Sequence, residues 1–412
     1  MEFSSVWEQM KFAHLADCHI GSWREPKLRD VNTKAFIKAV DLCIEKNVDF
    51  ILISGDLFNT SLPAIDNLKQ AVIKLKELKD KNIPVYTIAG SHDFSPSGKT
   101  MLDVLEEAGL LINVAKGEIV DDKLKLNFTI DKKTNAKITG LLGKRGGLER
   151  GFYENLIKEN LEKEPGYKIF LFHSLLSEFK PKNLEKADSQ PLSLLPKNFN
   201  YYAGGHPHIV FSEKEEGYGL IAYPGTLFPN NFKELEDLKV GGFNMVEDGK
   251  LRWEQIQIYN VFPIKIDCDH KIAEQVEQEI EEQIKGKEFN NTIVTIRLEG
   301  TLESGRPSDI NFKEIFDRLY EKSAYFVMKN TNALTTKEFE EIKIEAGSVD
   351  EMEEKLIKEH LGQIKVKDLT TEQEEKLTKE LMNILATERE EGEKVADFER
   401  RVKEDVGKVL KI

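Results

Sequence analysis

Five times within the first 210 residues a short, apolar, β-prone run ends and is followed within four residues by metal-type donors. "KFAHLA" precedes Asp17 and His19, "FILIS" precedes Asp56, "VYTIA" precedes Ser91, His92 and Asp93, "KIFLF" precedes His173, and "YYAGG" precedes His206 and His208. Runs this short with little polar alternation read as strands buried on both faces, the kind found in parallel sheets. Open α/β sheets collect ligands beyond the carboxyl ends of such strands. The pattern therefore restricts the chain to an α/β fold with its polar chemistry gathered along one edge. Glycines 55, 90, 204 and 205 stand just before these donors, where a sharp backbone turn would project the next side chain over the edge.

Amphipathic helices are expected between the early strands, from about Val31 to Lys46 and from about Ala64 to Lys81. "SGKTMLDVLEEAG" then offers Ser97 as an N-cap and Gly109 as a stop. Later strands ("KITGLL", "KIFLF", "NYYAG", "GLIAY", "GGFNMV") have fewer helices between them, so the second half of the sheet system is expected to be mixed or antiparallel. Two sheets packed face to face with outer helices accommodate the count. Near residue 261 the pattern changes to a small α/β module: "VFPIKID", a charged helix at about 271–286, "NTIVTIRLEG", a helix near "FKEIFDRLYEK", and "AYFVMKN". Beyond about Gly347 nearly everything reads as helix, with capping patterns Ser348-x-x-Glu351 and Thr371-x-x-Glu374 and an apolar series Leu377, Leu381, Ile384, Leu385.

A chain of 412 residues suggests two or three domains. The boundaries expected are 1–9 as an N-terminal extension, 10–260 as the main domain, 261–346 as a small second domain and 347–412 as a helical C-terminal region. Three cysteines without a CxxC pair exclude a disulfide framework or zinc ribbon and fit a reducing interior. No apolar stretch approaches the roughly 18 residues that span a bilayer, and "MEFSSVWEQM" carries acids where a signal peptide carries basic residues. A soluble, cytoplasmic protein without a membrane association is expected. The formal net charge of −14 argues against non-specific coating of nucleic acid, although −11 of it falls in residues 261–412 and only −3 in 1–260, which leaves room for a local basic groove.

Oxygen and imidazole donors in this number exceed the needs of one zinc ion. Two divalent ions sharing a carboxylate, about 3.5 to 4 Å apart, would use them and would suit in-line attack on phosphorus. Mn2+ or Fe2+ matches mixed N/O donors, Zn2+ also fits, and Mg2+ is a poor match for so many imidazoles.

At this point the chain resembles the calcineurin-like metallophosphoesterases. Their ordered signature is visible as "DCH", "GDLF", "GSHD", "FHS" and "GHPH". "FAHLADCHIGSW", "ISGDLFN" and "YPGTLFPNNF" are similar to the DNA double-strand-break repair nucleases of that superfamily, the SbcD-like exonuclease subunits that partner a zinc-hook coiled-coil ATPase. The likeness covers residues 10–260; residues 261–412 match the family's capping domain and ATPase-binding helices only in position. It implies a four-layer α/β/β/α sandwich of two mixed sheets, a small α/β second domain, a helical tail, Met10 as the natural start, and a homodimer.

The resemblance also implies the ligand set. One metal would be held by Asp17, His19, Asp56 and His208, the other by Asp56, residue 91, His173 and His206. His92 matches the catalytic histidine, which protonates the leaving oxygen or settles transition-state charge, and Asp93 would orient it. Ser91 departs from the family's asparagine. Its hydroxyl is shorter by roughly a bond length, so either metal or backbone moves closer or a water bridges, and the second metal is expected to bind less tightly.

Other features keep two readings. "GKRGGLERG" (143–151), with Lys144 and Arg145, is a phosphate-contacting loop or a solvated connection. "YPGTLFPNNF" presents Tyr223, Asn230 and Asn231 to DNA or is turn chemistry alone. The C-terminal helices bind a partner or complete the domain. Cys18 is expected to pack away from the site, and His14, His270 and His360 are given no role. The first reading of function is a Mn2+-dependent DNA nuclease acting at ends or single strands in double-strand-break repair. The alternatives are a phosphatase or small phosphodiesterase on a nucleotide or protein substrate, and a non-catalytic repair scaffold whose site Ser91 impairs.

Overall fold

A computed structural model describes residues 10–95, 100–337, 370–387 and 395–410. The extension 1–9, Ser97, the Ser348/Glu351 pattern, His360 and the expected boundary at 346–347 lie outside the described residues. The chain separates into two compact units, Met1–Thr335 and Thr336–Ile412.

In the first unit the elements run β1 (Lys11–Leu15), α1 (Pro26–Glu45), β2 (Phe50–Ser54), α2 (Ile65–Asp80), β3 (Val85–Ile88), α3 (Met101–Glu107), β4 (Ile112–Asn113), β5 (Gly117–Val120), β6 (Lys123–Leu126), β7 (Thr129–Ile130) and β8 (Lys137–Gly140). There follow α4 (Arg150–Glu154), α5 (Glu159–Lys163), β9 (Lys168–His173), β10 (Tyr201–Gly205), β11 (Val210–Lys214), β12 (Leu220–Pro224), α6 (Phe232–Leu238), β13 (Gly241–Glu247) and β14 (Lys250–Ile256). A small module closes the unit with β15 (Asn260–Asp267), α7 (Ala273–Ile284), β16 (Thr292–Leu302), α8 (Phe312–Glu321) and β17 (Phe326–Thr336).

Two six-stranded mixed sheets form, in the orders β14-β13-β1-β2-β3-β4 and β11-β12-β10-β9-β8-β7. β1 to β4 are mutually parallel, as are β8, β9, β10 and β12, with antiparallel strands at the margins. The sheets stack face to face. Phe12, Phe50, Leu52 and Tyr86 of one pack on Ile138, Ile169, Leu171 and Tyr201 of the other. The alternate residues Ala13, Leu15, Ile51 and Ile53 turn outward and meet Ala35, Phe36, Leu75 and Leu78 of α1 and α2. Both faces of β2 are thus covered, which is why "FILIS" has no polar alternation. The outer face of the second sheet buries Phe170, Phe172 and Tyr202 beneath Tyr153, Leu161 and Leu192, completing four layers. β15, β16 and β17 form a separate sheet with its own apolar core beneath α7 and α8, while Ile293 of β16 belongs to the main core.

Two caps differ from expectation. α3 starts at Met101 with Thr100 as its N-cap, in a reciprocal box with Asp103. In the second unit α9 (Thr371–Leu385) is capped by Thr370 with Gln373, one residue ahead of the Thr371/Glu374 pattern. Either threonine has a glutamate or glutamine three residues on, so the pattern alone does not choose between them. α9 packs on α10 (Val395–Leu410); Leu377, Leu381 and Ile384 are half-buried while Leu385 is exposed. No helix among the described residues is long and apolar enough to cross a membrane.

Candidate metal centre

The carboxyl ends of β1, β2, β3, β9 and β10 open onto one cup. Asp56 Oδ2 lies 3.1 Å from His173 Nε2 and 3.6 Å from His19 Nε2. The Nε2 atoms of His19 and His208 are 3.0 Å apart, and Asp17 Oδ1 is 3.8 Å from His208 Nε2. Among the described residues, three groupings have donor atoms mutually within 4.8 Å: Asp17–His19–His208, Asp17–Asp56–His173 and His19–Asp56–His92. Ser91 Oγ is 3.4 Å from Asp56 Oδ2 and the residue is buried. His206 belongs to none of the three; its ring meets His173 edge-on at 5.1 Å, and its amide donates to both oxygens of Asp17 at 3.0 Å.

The turning is done by the donors themselves. Asp17, His19, Asp56 and His208 have φ between 44 and 54°, and His206 reaches 97°. Left-handed backbone at non-glycine residues costs of order 1 kcal/mol or more each, and gathers where the surrounding structure enforces it. Of the four glycines expected to turn, only Gly55 has positive φ, at 84°. The others allow close approach: a Cβ on Gly205 would collide with the Ser54 carbonyl oxygen, so the two sheet edges meet there backbone to backbone.

Three imidazoles have one nitrogen pinned by an oxygen that can only accept. His173 Nδ1 donates to the Ser54 carbonyl at 2.8 Å, His92 Nδ1 to the Asn59 carbonyl at 2.8 Å, and His208 Nδ1 to Glu234 Oε1 at 2.9 Å. Each ring therefore meets the cup through Nε2, which carries a lone pair when the ring is neutral and an N–H when it is protonated. The buried His173 Nε2 has no hydrogen-bond partner although it faces a carboxylate oxygen. Against their burial, Asp56 raises His173 to about 10 and Glu234 with Asp17 raises His208, so a proton fills each contact until a divalent cation replaces it. The donor set therefore fits divalent cations, with carboxylates and neutral imidazoles oriented from behind.

Protonation follows the same logic. Burial holds His19 well below its usual range and brings His206 down to about 4, leaving both neutral. Burial also pushes Asp17 up to about 6, against the pull of His208 and His173. Burial opposes ionisation of Asp56, yet the imidazoles of His173, His19 and His92 hold its carboxyl well below the usual range.

Several expected roles change. Asp93 does not orient His92: its carboxylate accepts the amides of Leu57 and Gly90 at 3.1 Å and of Phe58 at 3.0 Å, fastening the β3 end loop to the β2 end loop. Asn59, whose backbone oxygen has no sequence signature, holds the ring. Tyr223 cannot meet DNA, because it is buried and its hydroxyl donates to the Ser174 carbonyl and accepts from the Leu176 amide. Asn231 caps α6, and its side-chain amide donates to Glu234, as does the Asn230 backbone amide. The "PNNF" turn thus holds Glu234 rather than offering its amides outward, and Glu234 is the functional neighbour that sequence reasoning missed.

A cleft of about 480 Å³ runs from Ser91, His92 and His206 past Lys144, Arg150 and Gln190. Lys144 Nζ sits 4.2 Å above the Phe152 ring and 5.3 Å from that of Phe94, which holds a cation on the cleft wall. The side chain of Arg145 lies outside the described residues. Cys18 is buried in the apolar core, His14 hydrogen-bonds Tyr201 between the sheets, and His270 is exposed.

Residues 10–210 match the calcineurin-like phosphoesterase family. The chain is similar to the DNA double-strand break repair protein Mre11 of Methanocaldococcus jannaschii, 30% identical across 69% of this chain and 72% of that protein. It is 27% identical to the protein of the same name from Archaeoglobus fulgidus, across 96% of this chain and 94% of the relative. A third, from Methanococcus maripaludis, is 27% identical over 76% and 79%.

Proposed function

The chain belongs to the Mre11 family of DNA double-strand break repair proteins, and on that premise we propose that it is a two-metal nuclease that hydrolyses DNA phosphodiesters at ends or single strands. The observation that carries the reading is the convergence of donors at the strand ends, where Asp56 Oδ2 faces His173 and His19 within 3.6 Å. One carboxylate oxygen between two imidazoles suits a bridging ligand. Asp17, His19, Asp56 and His208 would hold one ion; Asp56, His173, His206 and Ser91 the other. Two bound ions supply Lewis acidity and lower the pKa of an attacking water.

The chain's own residues do the rest. His92, with its Nδ1–H held by the Asn59 carbonyl, lines the cleft, and as an imidazolium it donates its Nε2 proton to the leaving oxygen or stabilises its charge. Lys144, which lines the same cleft, holds a phosphate. Mn2+ suits the mixed donors. Three buried free cysteines fit a reducing cytoplasm. By family resemblance the C-terminal helices engage a zinc-hook coiled-coil ATPase, and a homodimer is supported by the outward apolar residues Leu62, Ile65 and Ile73, exposed by 74, 81 and 47%.

Digestion of end-labelled single- and double-stranded DNA across Mn2+, Mg2+ and Zn2+ tests the reading, with Asp56→Ala as control. Metal-dependent cleavage lost in the control supports it. Turnover of small phosphodiesters alone would replace it with a phosphodiesterase, and absence of both with a scaffold.

A further inference from the structure

Helix α6 is tied at two points to parts of the molecule that are distant in sequence. In its first turn Glu234 Oε1 accepts His208 Nδ1 at 2.9 Å, and Oε2 accepts the Asn230 amide at 2.8 Å. The turn ahead of the helix is itself clamped from the β1 side: Ser22 Oγ donates to Asn230 Oδ1 at 3.1 Å and Trp23 Nε1 to the Pro229 carbonyl at 2.9 Å. Two residues on, Glu236, with 1% of its side chain exposed, takes both Nε and Nη2 of Arg297 at 2.8 and 2.7 Å. Arg297 belongs to β16 of the small module, and its guanidinium also lies 5.2 Å from the Phe232 ring at the start of α6. Breaking such a pair leaves a buried charge alone, which a seven-residue helix accommodates by shifting.

We propose that Glu234 is a positioning residue that aims His208 Nε2 into the cup, and that the Arg297–Glu236 pair, by fixing α6, makes the small module a structural part of the metal centre. The proposal rests on the cup binding cations as set out above. The chain from module to centre is Arg297, Glu236, about half a turn of helix, Glu234, His208. Both side-chain links are charged or charge-assisted contacts of 2.9 Å or less and the piece between them is helix, so a displacement of β16 reaches His208 without an intervening loop. Oxygen partners behind metal-binding histidines typically change metal affinity 10- to 100-fold when removed.

The test is calorimetric titration of the full-length protein with Mn2+, alongside the visible absorption of its Co2+-loaded form, for wild type, E234A, E234Q and R297M. E234A is expected to weaken one of two sites by about 10- to 100-fold and to leave the other unchanged, with an altered Co2+ spectrum. E234Q recovers part of the loss: its oxygen serves His208 and Asn231, while its amide opposes the Asn230 N–H. R297M falls between wild type and E234A, and E234A/R297M is no weaker than E234A alone, as expected for one pathway. Should E234A not fold, E234D, too short to reach Nδ1 from the same backbone, replaces it. Wild-type affinities at both sites in E234A, or equal loss at both sites with a lowered melting temperature, overturns the positioning role. Wild-type affinity in R297M overturns the link to the module. A wild-type protein that takes up no Mn2+ refutes the metal reading itself.

Discussion

The strand-end cup and the groove between α7 and α8 are both rich in acids, and they handle them in opposite ways. In the groove, Glu274, Glu277, Glu281 and Glu314 line an open surface, where Arg318 bridges Glu281 and Glu314 across the two helices. Solvent and the partly exposed Arg318 screen these acids. In the cup, Asp17 and Asp56 are each about 1% exposed, face imidazole nitrogens, and sit on left-handed backbone. Charge counted from composition is the same quantity in both places; only enclosure and strain separate an acid that solvates a surface from one that waits for an ion.

The comparison is sharpest at Asp56. Asp56→Ala is expected to lower Mn2+-dependent DNA cleavage by several kcal/mol of barrier, on the order of 10³-fold or more, measured on end-labelled substrate; a loss under tenfold would put the cup on a level with the groove. His92→Ala should cost about 10² to 10⁴ in rate while leaving Mn2+ affinity near wild type, since Asp56 Oδ1 is held by the residue 92 backbone amide rather than its ring; single-turnover kinetics beside Mn2+ titration separates the two. Ser91→Asn lengthens a buried side chain toward Asp56 and should tighten the weaker Mn2+ site by about tenfold; identical titration curves would mean that Ser91 is only a spacer. At the other extreme Glu281→Gln in the groove should leave melting temperature, Mn2+ binding and cleavage all unchanged, and a clear change in any of them would show that the groove is not mere solvated surface.

Much of this was legible in the chain. Parallel strands carry their carboxyl ends to one side, so the convergence of Asp17, Asp56 and His173 follows once "KFAHLA", "FILIS" and "KIFLF" are read as buried strands. What stayed hidden depends on backbone atoms and on packing. The Asn59 and Ser54 carbonyls that fix two imidazoles have no residue type to announce them. Glu234 looks like any exposed acid in a helix's first turn, 26 residues after His208. Asp93 follows His92 directly and the family resemblance implies an orienting role, yet its carboxylate turns inward to three amides. The family position of "YPGTLFPNNF" suggests Tyr223 as a nucleotide contact, whereas it lies near the end of a strand whose outer face is covered.

His19 and His208, whose nitrogens meet at 3.0 Å, are 189 residues apart. At a ribosomal pace of about 5 to 20 residues per second, the first half of the cup must wait on the order of 10 to 40 s for the second. Asp17 and Asp56 leave the exit tunnel with no histidine from β9 or β10 to answer them. Capture of an ion is therefore a late event in biosynthesis, and its timing could serve as a clock for when both sheets have docked.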